Sequence, residues 1–143
     1  MTFLLILLGF LPFFFGGVQN WYMSTYMNSL PPYTLIALSV LFLWGLIAYI
    51  FNKQGKQTKQ IIICLNSIAA ADLVLIGIQE LVFHAYWMNS VGSFSQYFYL
   101  PILNLGFRLT SWSHRVFSAY AASFLLMVGA TFAGCKLKEK KRK

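Results

Sequence analysis

Residues Ile61–His84 read IIICLNSIAAADLVLIGIQELVFH. The stretch is apolar enough, and at about 1.5 Å per helical residue long enough, to cross the hydrocarbon of a bilayer. It nevertheless carries Asp72, Glu80 and His84. Ionisable groups are costly in hydrocarbon, so they face a protein interior, a water-filled cavity or a partner charge. No other apolar stretch holds an acid. The only arginines before the C-terminal tail, Arg108 and Arg115, stand at the start of the last apolar stretch. This pattern predicts an acid–base contact between the third and fourth spans of a helical membrane protein.

Composition supports that class. Of 143 residues, 59% are hydrophobic, 18% aromatic and only 10% charged, with a mean hydropathy of +0.66. A soluble domain carries about 25% charged residues, so this chain has too few to cover a water-exposed surface. Its length accommodates four spans of about 20 residues with short loops. The expected fold is all-α: a polytopic bundle of four transmembrane helices over residues 1–135, then a basic tail, 136–143. The net charge of +8 does not indicate nucleic acid, because six of the eleven Lys and Arg residues lie in the tail KLKEKKRK and three more in the loop NKQGKQTKQ. No folded basic face accompanies them; the distribution instead marks membrane topology and attraction to anionic headgroups. Cys64 and Cys135 are too few for a disulfide framework and read as small apolar fillers.

The spans follow from the breakers. The first covers about residues 2–22, with Pro12, Gly16 and Gly17 permitting a kink and Trp21, Tyr22 and Tyr26 forming an interfacial aromatic belt. No basic residue precedes this run and no A-x-A-like site follows it, so a cleaved secretory signal is not expected. Ser29-Leu30-Pro31-Pro32 separates it from the second span, about 33–51, in which Trp44, Gly45 and Tyr49 read as ordinary packing residues. The lysine loop leads to the third span, about 61–83. Residues 97–135 are too many for one ordinary span. Pro101 and Gly106 divide them into an interfacial or re-entrant piece, Phe94–Phe107, and a fourth span, about 111–133. Only the loop after span two and the tail after span four are basic, so the positive-inside rule places both termini in the cytoplasm of a cell membrane. In a eukaryote, the terminal lysines would suit retention in the endoplasmic reticulum membrane.

Depth and helical phase sharpen the candidate site. Asp72 falls near the middle of the third span, while Glu80, His84, His114 and Arg115 share its outer edge and Arg108 lies slightly beyond. At 100° per residue Asn66, Asp72, Glu80 and His84 fall within an arc of about 120°. A helix continuous from Gly106 would place Arg108 and Arg115 in an arc of about 100° with Ser118, Ala122, Gly129 and Ala133. The pairs Ser118-x-x-x-Ala122 and Gly129-x-x-x-Ala133 suit close packing in lipid, and Ala69-Ala70-Ala71 offers a flat partner surface. Spans three and four are therefore expected to pack together, with Glu80–Arg115 as their ion pair. The arginines and Glu80 would equally suit snorkelling to headgroups, and Asp72 a structural polar lock.

Motifs for catalysis are absent: there is no G-x-S-x-G, H-E-x-x-H, C-x-x-C or phosphate-binding glycine loop. The leading expectation is a non-enzymatic binding or accessory subunit. Its ligand-binding residues would be Asp72, Glu80, His84, Arg108 and Arg115, holding a lipid headgroup, a peptide or another membrane protein. A small homo-oligomeric transporter or channel with Asp72 in its pathway is the alternative. A further alternative is a haem or metal held by His84 and His114, or a lipid-modifying enzyme using Glu80 with a histidine.

Overall fold

The computed structural model describes residues 2–26, 31–87 and 89–140, the last three of these as backbone. Every regular element among them is helical. The helices are α1 (Thr2–Leu8), α2 (Leu11–Thr25), α3 (Tyr33–Lys53), α4 (Thr58–Gly77), α5 (Ser90–Leu109) and α6 (Val116–Lys140), and α4 runs on into a π-helical turn at Ile78–Val82. Four stretches are long and apolar enough to cross a membrane: Thr2–Thr25, Tyr33–Lys53, Thr58–Val82 and Val116–Leu137. Large apolar side chains such as Phe3, Phe14, Leu35, Phe42, Ile63, Val74 and Leu125 are exposed along them. A soluble monomer would not present such a surface, whereas lipid would cover it. The chain is thus a membrane helical bundle.

Local sequence sets the breaks. Pro12 stands at the start of α2, where its missing N–H costs nothing, and α1 and α2 form one bent span. Pro32 caps the start of α3; Ser29 and Leu30 of the expected breaker lie outside the described residues. The last span starts later than expected. Residues 111–115 are not helical, and α6 instead continues through the first part of the basic tail.

The order of the spans follows from contacts. Asn52 near the end of α3 donates from Nδ2 to the Cys135 carbonyl of α6 (3.4 Å), so those two helices end together. A Cβ at Gly77 would lie 3.1 Å from the Phe117 ring, so α4 ends where α6 begins. The C-terminal half of α2 borders Pro31, Pro32 and Ile36 at the start of α3. All four spans therefore alternate in direction. The lysine loop and the end of α6 share one end of the bundle, called here the lysine end.

The segment between the third and last spans is one 20-residue helix, α5, with Pro101 inside it. It leaves from the end of α4 and returns to the start of α6, which lie together, so it adds no net crossing. It is packed among the other helices: Phe98, Tyr99 and Ile102 are fully buried. Its first half lies on α2, where Phe94 stacks on Phe13 at 4.6 Å. Its second half lies on α3 and α6, where Asn104 Nδ2 donates to Thr34 Oγ1 (3.4 Å) and Gly106 meets the Ala119 carbonyl. Pro101 has no N–H to give the carbonyl four residues back, that of Tyr97. That carbonyl is where Gly16 of α2 packs, so closely that a Cβ would come within 1.7 Å of it. The proline frees an oxygen, and the glycine lets a neighbouring backbone reach it.

One polar seam and one close backbone contact hold the spans. Trp44 Nε1 donates to Asn66 Oδ1 (3.1 Å), and Asn66 Nδ2 donates to Thr131 Oγ1 (3.1 Å), joining α3, α4 and α6 at a fully internal level. Gly45 and Gly134 bring the α3 and α6 backbones into direct contact. Spans three and four pack together as expected. Of the small residues expected to do it, the second pair does not: Gly129 has open space around it and Ala133 is exposed. Ala130 and Gly134, one position further on, face α3 instead.

Candidate functional site

The residues singled out in the sequence separate into an interior acid and an outer rim. Asp72 lies inside the bundle with 3% of its surface exposed, and neither carboxylate oxygen has a hydrogen-bond partner among the described residues. Ser95 of α5 faces it, but the Ser95 hydroxyl donates to the Val91 carbonyl (3.3 Å). Tyr99 sits beside it and gives its hydroxyl to the Ala69 carbonyl (2.6 Å). Tyr120 of α6 meets the Tyr99 ring edge-on, with 5.6 Å between centroids. Tyr120 is within electrostatic reach of both Asp72 and Glu80.

Two helical turns beyond Asp72 the chain prepares to leave the span. Gln79 is 1% exposed, and its Oε1 accepts the Trp87 backbone N–H (3.1 Å), folding the following loop back on the helix. Glu80, next to it in the π turn, accepts a hydrogen bond from the Tyr86 hydroxyl. Partial burial and the neighbouring Glu80 carboxylate raise the Tyr86 phenol above its ordinary range. His84 then adopts φ of +52°, a left-handed conformation that helps end the helix, and its side chain is exposed.

The expected Glu80–Arg115 ion pair does not form among the described residues. Two local features explain this. The wider π turn at Ile78–Val82 changes the helical phase that a straight α-helix would give Glu80. The break before Val116 removes Arg115 from the face that a helix continuous from Gly106 would provide. Arg115 instead belongs to a turn, with its N–H on Ser113 Oγ (3.2 Å).

Arg108, in the last turn of α5, and His114 and Arg115, before α6, are all exposed. Trp112 between them is 79% exposed. Arg108 at the end of α5 and Arg115 before α6 thus stand at the two sides of the α5–α6 connection, His84 is on a different loop, and Asp72 is buried inside the bundle. His84 and His114 occupy exposed positions on these two loops, and the described residues contain no cluster of three or more His, Cys, Asp or Glu suited to a metal ion.

Sequence reasoning missed Gln79, Tyr86, Ser95, Tyr99 and Tyr120. Gln79 carried a signal, since it lies seven residues from Asp72 and so on the same helical face. The tyrosines carried none, because two of the three belong to other helices whose contacts with α4 are tertiary. Comparisons with protein families, with curated proteins and with solved structures give no match to this chain.

Proposed function

We propose that this chain is a non-enzymatic binding or accessory protein of the cell membrane that holds the phosphate of an anionic lipid headgroup on its α5–α6 turn. The observation that carries this reading is the exposure of Arg108, His114 and Arg115 around Trp112, with Glu80 engaged by Tyr86 instead of neutralising them. Guanidinium groups bind phosphate through paired N–H donors, and tryptophan favours the headgroup level of a bilayer. The lysines at the opposite end give the orientation: by the positive-inside rule that end is cytoplasmic, and the arginine turn faces out.

Native mass spectrometry of the protein released from bilayers of mixed phosphatidylglycerol and phosphatidylcholine tests this. The wild type is expected to retain phosphatidylglycerol selectively, and the Arg108→Ala/Arg115→Ala variant to lose the selectivity. Equal retention by both proteins would overturn the reading. The same spectra report whether the protein is a monomer or a homo-oligomer.

A further inference from the structure

The arginine turn occupies one end of the bundle; the contact between α3 and α6 shapes the half nearer the other. Gly45 and Gly134 carry no side chains, so the two backbones meet directly: a Cβ at Gly134 would lie 2.1 Å from the Gly45 carbonyl oxygen. Larger neighbours, Leu41 and Phe42 of α3 and Leu137 of α6, stand as walls beside this glycine floor. The result is a groove of about 450 Å³. It opens on the lipid-facing surface, where Phe42 is 73% and Leu137 62% exposed. Its lining side chains are apolar except for the Tyr49 hydroxyl. At about 1.5 Å per helical residue, it runs about 12 Å from Leu41, near the middle of α3, to Tyr49. Lys53 follows one turn later on the same side of α3 and is exposed. Asn52 donates to the Cys135 carbonyl, so the groove closes where both helices reach the lysine end. From Leu41 to Lys53 the rise is about 18 Å, close to one leaflet of a bilayer whose hydrocarbon is about 30 Å thick.

We propose that this groove holds one acyl chain of a phospholipid from the leaflet at the lysine end, with Lys53 receiving its phosphate. Length and polarity agree along the whole groove. The apolar part reaches the depth at which an acyl chain of that leaflet ends. Tyr49 offers a hydroxyl at the level of the chain's ester, and Lys53 an ammonium at the level of the phosphate. A phosphate diester is anionic in zwitterionic and acidic phospholipids alike, so one lysine fixes the depth of the lipid without choosing its headgroup. The site therefore differs from the arginine turn in leaflet and in selectivity, and does not rest on it.

Native mass spectrometry after reconstitution in pure phosphatidylcholine and release into mild detergent tests this. The wild type is expected to keep one phosphatidylcholine per chain. The Arg108→Ala/Arg115→Ala variant is expected to keep it equally, because the arginine turn is read as selective for phosphatidylglycerol. Ala133 lines the groove and is exposed, so Ala133→Phe fills it from the lipid side and is expected to lose the lipid. Leu125→Phe, exposed on α6 outside the groove, is expected to keep it. Lys53→Gln, which alters no packing, is expected to lower the retained fraction about fivefold, as loss of one hydrogen bond does. Full retention by Ala133→Phe, loss of the lipid in the arginine variant, or a wild type released without lipid, whether monomer or dimer, would overturn the groove site. Full retention by Lys53→Gln would overturn the assignment of the phosphate to Lys53.

Discussion

Trp44 of α3 gives its indole N–H to Asn66 of α4 at 3.1 Å, and the amide of that same asparagine reaches Thr131 of α6 at 3.1 Å. One side chain therefore ties three spans. Asn66→Ala leaves the buried Trp44 N–H without its acceptor. Polar contacts between membrane helices contribute about 0.6–2 kcal/mol each, so the variant is expected to lose about 1–3 kcal/mol. Thermal unfolding in mild detergent measures this, with Asn20→Ala, at a long 3.3 Å contact to the Tyr97 hydroxyl, as the weaker comparison.

The α3–α6 contact makes a second, positional prediction. A Cβ at Gly134 would lie 2.1 Å from the Gly45 carbonyl oxygen, whereas one at Gly129 would meet nothing within 4 Å. Gly134→Ala is expected to destabilise the bundle by about 1–3 kcal/mol through overpacking. Gly129→Ala is expected to be neutral or to stabilise by up to about 1 kcal/mol, as alanine does in a helix. The pair of variants, compared by unfolding midpoint, reads directly which small residues face a neighbour.

His84 ends the third span in a left-handed conformation, φ +52°, with its side chain exposed. An L-residue there carries about 1–2 kcal/mol of steric cost that glycine does not. His84→Gly is expected to leave the fold intact and raise stability by a fraction of that amount, measured in the same unfolding assay. A marked loss of stability would show that the imidazole makes a contact of its own.

Tyr86 adds a dependence on pH. Burial and the adjacent Glu80 hold its phenol protonated above the ordinary value of 10.0. An unfolded phenol ionises near pH 10 while the folded one does not, so this contribution is complete below pH 10 and falls as pH rises past it. Unfolding followed from pH 8 to 11 should show a steeper alkaline decline in the wild type than in Tyr86→Phe. Equal slopes would remove Tyr86 from the account.

The all-α class and the four long apolar stretches were legible in the residues themselves. Hydrocarbon demands continuous apolar helices of fixed length, a property of composition and spacing that no tertiary contact needs to supply. Asp72 could likewise be marked from depth alone, and its burial agrees. Helical phase was a poorer guide, because it assumes an unbroken α-helix. The π turn at Ile78–Val82 and the break before Val116 each change it, and with it went the Glu80–Arg115 pair. What only the tertiary structure decided is the place of α5. Its tyrosines and asparagine look too polar for a span, yet Tyr97, Asn104 and Tyr99 find partners on α2, α3 and α4. A polar side chain's cost depends on the neighbour that meets it, and that neighbour is distant in sequence. The enclosure of Asp72 by Ser95, Tyr99 and Tyr120 has the same origin.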